Sequence, residues 1–121
     1  MEHNNGFLKL VEECRPFIKE TNISTVANKL KNKEKFVLID VREDNEWQQG
    51  HIPSAIHMAR GIIERDIEKT IPKDAEIILY CSGGFRSALS TYNLQKMGYT
   101  NVTSMNGGSR SWIEEGYQLE L

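Results

Sequence analysis

A cysteine closes the apolar run Ile77-Ile78-Leu79-Tyr80, and Ser82-Gly83-Gly84-Phe85-Arg86-Ser87 follow it directly. A cysteine kept only for packing needs neither two glycines nor an arginine beside it, so the stretch reads as a nucleophile in an anion-holding turn. Ser82, Gly83 and Gly84 let successive backbone N–H groups turn inward and form a nest for negative charge. The helix expected from Ser87 onward adds the positive end of its dipole at the same place. Arg86 contributes a fixed cation whose planar donor fork suits oxyanions. Each feature favours the thiolate, the nucleophilic form of the side chain. Cys81 is therefore the expected catalytic residue, with Ser82, Gly83, Gly84, Phe85 and Arg86 as its substrate-binding loop. No second cysteine lies two or three residues away, which argues against a dithiol of the thioredoxin kind. Nor does the spacing match a dinucleotide-binding glycine fingerprint.

The elements that must hold such a loop are legible from periodicity. Phe36 to Val41 is an apolar run with an acid, Asp40, at its end, and Glu76 to Tyr80 is apolar from Ile77 on, as expected of strands buried on both faces of a parallel sheet. Ala55 to Met58 and Asn101 to Met105 are the other expected strands, with Ile23-Ser24 as a short extended piece. Helical spacing is expected around Ile62, Ile63, Asp66 and Ile67, stopping before Pro72, and over Ser87 to Met97, with Gly98 ending that helix. Ser111 with Glu114 suggests a capping box for a last helix. Toward the amino terminus, Phe7, Leu8, Leu10, Val11, Cys14, Phe17 and Ile18 recur at helical spacing, broken by Pro16. Ser24 is placed to cap a second helix through Val26, Ala27 and Leu30. Cys14 lies on the first apolar stripe and reads as a small buried hydrophobe. Alternation of strands and helices predicts an α/β sandwich around a mainly parallel sheet. In such sheets ligands gather beyond the carboxyl ends of the strands, where Cys81 falls.

Composition limits the alternatives. The 121 residues suffice for one domain with its own core, and 39% hydrophobic with 26% charged residues is ordinary for a globular protein. With 15 basic and 17 acidic residues interspersed and a net charge of -2, there is no electrostatic case for nucleic acid or an anionic membrane. No apolar run approaches the roughly 20 residues of a membrane span, and the first residues lack the pattern of a secretion signal. Cytoplasm is the expected location, where the two cysteines would be thiols. The histidines and cysteines show no metal-ligand spacing.

Three blocks in register resemble the single-domain rhodaneses, the thiosulfate-type sulfurtransferases. Asp40-Val41-Arg42-Glu43, Glu46-Trp47 and Gly50-His51-Ile52-Pro53-Ser54-Ala55 are similar to that family's DVR…E(F/W)…GHIPGA motif. The Cys81–Arg86 loop with Ser87 is the second block. Gly98-Tyr99, Gly107-Gly108, Trp112 and Gly116 are similar to its GY…GG…W…G ending. Ser54 departs from the pattern, standing where the family has glycine. The resemblance covers about residues 36–118 and implies a rhodanese-like three-layer sandwich, a mainly parallel sheet flanked by helices, preceded by a helical extension over about residues 7–31. It implies sulfur transfer through a Cys81 persulfide, with no metal or organic cofactor. The donor would be thiosulfate or a persulfide, and the acceptor cyanide or a thiol, a thioredoxin-like protein among the partners. Cysteine phosphatases use a related loop one residue longer, and the shorter ring between Cys81 and Arg86 suits a single sulfur atom better than a phosphoryl group. A cysteine phosphatase or arsenate reductase, and a non-catalytic binding module, are the rival readings.

Other polar residues have two readings each. Asp40, at a strand end, and His51, in Gly-His-Ile-Pro, are candidate acids or bases. The resemblance instead implies structural hydrogen bonding for Asp40, a turn fixed by His51, and Arg42 and Glu46 tying the next helix to the strand. His57, Trp47 and Trp112 are expected to be packed. Arg60 follows the second strand and is expected either in a surface ion pair or at the sheet end beside Cys81, as a second cation for an anionic donor.

Overall fold

The computed structural model describes residues 3–121. Five strands form one sheet: β1 Lys19–Thr21, β2 Val37–Asp40, β3 Ile56–His57, β4 Ile77–Tyr80 and β5 Val102–Met105. They lie in the order β1-β5-β4-β2-β3, with every pairing parallel. Six α-helices accompany them: α1 Asn5–Cys14, α2 Ile23–Lys31, α3 Asp44–Gln48, α4 Arg60–Asp66, α5 Phe85–Lys96 and α6 Gly108–Glu114. No helix among the described residues is long and apolar enough to cross a membrane.

Strand period two divides the core into two layers. Ile39, Ile77 and Leu79 pack with Ile63, Ile67 and Leu94 of the α4–α5 side. Leu38, Ile78 and Tyr80 pack with Ile23, Val26 and Trp112 of the α2–α6 side. Both faces of β4 are thus covered, and all four of its residues are buried. That is the reason for its unbroken apolar sequence. The helix layers on either side make the three-layer sandwich. A third cluster, Val11, Cys14 and Ala88, fixes α1 against α5 outside those layers.

Several element ends differ from the sequence expectation. Ile23-Ser24 is helical, not extended. The extended piece is β1, three residues earlier, and the α2 cap is Asn22, whose side chain accepts from Thr25 N at 2.8 Å. An edge strand reading Lys-Glu-Thr has no apolar pattern to reveal it, and its charges suit an exposed edge. The segment before residue 36 therefore contains a strand as well as helices, and it enters the core through Ile23 and Val26. The strand expected over Ala55 to Met58 shrinks to Ile56–His57. Ser111 lies inside α6, whose N-cap is Gly107 in the left-handed region, so the expected capping box is absent. Ser54 also has a left-handed φ of 74°, a turn conformation in which the family's glycine is free of strain.

Candidate active site

All the polar chemistry gathers beyond the carboxyl ends of β4, β2 and β5. β4 delivers Cys81 there, and α5 begins at Phe85, two residues earlier than periodicity alone predicts. Cys81 is 1% exposed and lines a cavity of about 500 Å³. Its Sγ accepts from Gly84 N at 3.1 Å and from Ser87 N at 3.4 Å. The thiol faces the Ser87 hydroxyl at 3.6 Å, which shares a 2.8 Å hydrogen bond with Ser104 of β5. Two backbone dipoles therefore converge on the sulfur, and a buried hydroxyl pair backs it. Of the amides expected to form the nest, Gly84 does so; Ser87, just beyond the expected loop, supplies the other.

Gly84 has φ 92°, and a side chain there would press on the Gly107 amide. Gly108 comes closer still. A Cβ on it would collide with the Cys81 carbonyl oxygen and with Ser82. This approach brings Ser109 N to Cys81 O at 2.8 Å and Arg110 N to Ser82 O at 3.0 Å. The turn after β5 thus splints the cysteine loop from outside.

Arg86 is not the free cation the sequence suggests. Its Nη1 and Nη2 donate to the two carboxylate oxygens of Glu46 at 2.7 and 3.0 Å, and Nη2 also reaches Ser82 Oγ at 2.9 Å. Bidentate geometry of this kind is the strong form of the ion pair. Glu46 is presented by α3, where it completes a capping box with Glu43. It bridges α3 to the cysteine loop, not α3 to β2 as expected. Bonding to Arg86 holds the Glu46 carboxyl below its ordinary value, against the opposing effect of burial. The clamp is thus intact at neutral pH, and its contribution is lost as pH falls through that lowered value.

Asp40 is fully buried and Arg42 nearly so. Arg42 Nη2 donates to Asp40 at 2.8 Å and to Gly50 O at 2.7 Å, tying the end of β2 to the chain beyond α3. His51 pairs through its backbone with Glu120, both hydrogen bonds 2.8 Å long, and its ring stacks on Trp47 at 3.7 Å. Trp47 is half-buried between His51 and His57, not packed in the core as expected. Trp112 is in the core. Neither Asp40 nor His51 lines the cavity with Cys81.

Arg60 and Arg110 do line it. Among the described residues neither is within ion-pair distance of a carboxylate. Arg110 was not singled out by sequence. Its only signal is its position two residues after Gly107-Gly108, which matters once that turn is known to touch the cysteine loop. The arrangement is a buried sulfur with two amide donors, facing a cavity that carries two cations not committed to carboxylates.

Comparison with known proteins adds the wider context. A family model described as a rhodanese-like domain matches residues 24–115. The candidate sulfurtransferase YtwF of Bacillus subtilis is 37% identical over 98 residues, 81% of this chain and 93% of that protein. A sulfurtransferase of Allochromatium vinosum is 30% identical, over 84% and 94%. Among solved structures, a rhodanese-related protein of Thermoplasma volcanium is 30% identical with a TM-score of 0.74, covering 85% of this chain and 98% of that one. A Rhodopseudomonas palustris protein of unknown function, described as a possible tyrosine phosphatase, is 26% identical with a TM-score of 0.84, covering 99% and 98%.

Proposed function

Because this chain belongs to the rhodanese-like family, we propose that it moves sulfane sulfur from a donor such as thiosulfate to a thiophilic acceptor through a persulfide on Cys81. The reading is supported chiefly by one observation, the convergence of the Gly84 and Ser87 amides on Cys81 Sγ. In the first step the Cys81 thiolate attacks the outer sulfur of thiosulfate. An Sγ–S bond forms, the donor S–S bond breaks, and its electron pair leaves with sulfite. In the second step an acceptor such as cyanide or a thiolate takes the outer sulfur and returns the Cys81 thiolate. Dividing one transfer into two displacements is covalent catalysis. Fixed N–H dipoles stabilise the anionic sulfur at no reorganisation cost during reaction. The Glu46–Arg86 clamp holds the loop, so the donor's charge falls to Arg60 and Arg110.

The test is intact-mass measurement after exposure to thiosulfate. The expected result is a gain of one sulfur, about 32 Da, that dithiothreitol removes. Reversal matters, because sulfinic acid adds nearly the same mass and is not reduced by a thiol. A parallel assay should find no hydrolysis of a phosphate monoester. Hydrolysis without sulfur uptake would replace this reading by the phosphatase one.

A prediction for the two cations follows. Arg60→Ala and Arg110→Ala should each raise the KM for dianionic thiosulfate about 5- to 10-fold, and for monoanionic methanethiosulfonate by clearly less, with kcat little changed. Steady-state kinetics with both donors checks this. Equal effects on the two donors would remove these arginines from donor binding.

A further inference from the structure

The cavity over Cys81 is far larger than thiosulfate requires. About 500 Å³ has room for on the order of fifteen waters, and lies in the range of sites that hold small organic ligands. Thiosulfate has five heavy atoms and would leave most of that space empty. The extra volume is bounded by aromatic groups. His3 and Phe7 of the amino-terminal segment and Phe85 of the cysteine loop form a three-ring cluster, with centroids 4.4 Å apart for His3 and Phe85 and 6.3 Å for Phe7 and Phe85. All three line the cavity. This wall belongs partly to α1, which precedes the residues matched by the family model. Packing of Val11 and Cys14 on Ala88 of α5 fixes α1 in place.

The site therefore presents three chemistries to one ligand: a nucleophilic sulfur, two cations, and an aromatic wall. Resting on the sulfurtransferase reading above, we infer that the preferred donor is an organic sulfane compound, an anionic molecule whose aromatic or branched carbon group packs against Phe7 and Phe85 while its terminal sulfur meets Cys81. Thiosulfonates, R–SO₂–S⁻, represent the class. Cys81 Sγ forms a bond to the terminal sulfur, the S–S bond of the donor breaks, and the electron pair leaves with R–SO₂⁻. No proton or outside reductant is consumed. Arg60 and Arg110 hold the anionic oxygens, and the wall holds R.

Loading of Cys81 by benzenethiosulfonate, methanethiosulfonate and thiosulfate, followed by rapid-quench intact mass on the full chain, tests the inference. Phe7→Ala should lower the ratio of the benzenethiosulfonate rate to the thiosulfate rate about tenfold. Phe7→Leu keeps bulk for packing α1 but lacks the ring face, and should lower the same ratio about threefold. The methanethiosulfonate ratio should move by less than twofold in both. Unchanged ratios, with thiosulfate loading normal, would overturn the organic donor and leave sulfur transfer standing. Failure of the unaltered protein to load from any of the three would overturn both.

Discussion

Cys81→Ser should take up no sulfur from any donor while melting within a few degrees of the unaltered protein. Serine keeps the size and can accept the same hydrogen bonds from Gly84 and Ser87. The stability change is therefore expected near 1 kcal/mol, the ordinary range for a conservative substitution. What is lost is the sulfur proposed as the nucleophile. An alkoxide is not available at neutral pH, because among the described residues the hydrogen-bond partners of the position 81 side chain are the Gly84 and Ser87 amides and the Ser87 hydroxyl, none of them a base. Cys14→Ser is the control. Burial pushes the Cys14 thiol up, away from the thiolate, and its place is the cluster between α1 and α5. That variant should load at the normal rate. A 32 Da gain that survives in Cys81→Ser and disappears in Cys14→Ser would transfer the chemistry to the other cysteine.

Sequence revealed the site best where the cause is local. An apolar run ending in cysteine, followed by glycines and a helix, follows from strand burial and backbone freedom, and both act over a few residues. Strands β2 and β4 were legible for the same reason, since burial on both faces leaves no alternation to misread. β1 was not legible because an exposed edge strand of three polar residues is held by its pairing with β5, more than eighty residues away in sequence. The α6 cap failed differently. Ser111 and Glu114 have the spacing of a capping box, but close approach to the cysteine loop places Gly107 at the helix start instead.

Roles that depend on a distant partner were also hidden. Arg86 read as a free cation because sequence does not show Glu46 arriving from α3 to occupy its fork. The consequence for mechanism is substantial. A guanidinium satisfied by a carboxylate and by Ser82 stiffens the loop, and it offers an incoming anion little net charge. Under the sulfur transfer proposed above, the donor's charge is met by Arg60, which sequence offered as either a surface ion pair or a second cation beside Cys81, and by Arg110, which it did not flag. The amino-terminal helix shows the same limit. Its apolar stripe predicted a packed helix, and nothing in its spacing indicated that Phe7 would line the cavity over Cys81.

Gly108→Ala should cost about 3 kcal/mol of stability and about a hundredfold in the rate of sulfur uptake. Two penalties add. The residue sits at φ 60°, where a non-glycine residue costs roughly 1–2 kcal/mol. The new methyl group also lands on the Cys81 carbonyl and on Ser82, both backbone, which no side-chain rotation relieves. The two turns must separate, weakening the bonds from Ser109 N and Arg110 N to the cysteine loop, each worth about 0.5–1.5 kcal/mol. Displacing the loop shifts Sγ and carries Arg110 with it, and an error near 1 Å in a reacting group costs about a hundredfold. Gly116→Ala separates the two penalties. Gly116 also has a left-handed φ, 94°, but a Cβ there meets nothing within 4 Å. It should lose about 1–2 kcal/mol in thermal or urea unfolding and load sulfur normally. If both variants load at the normal rate, the splint from the β5–α6 turn has no part in placing the sulfur, and the cysteine loop holds its shape through α5 and the Glu46–Arg86 clamp alone.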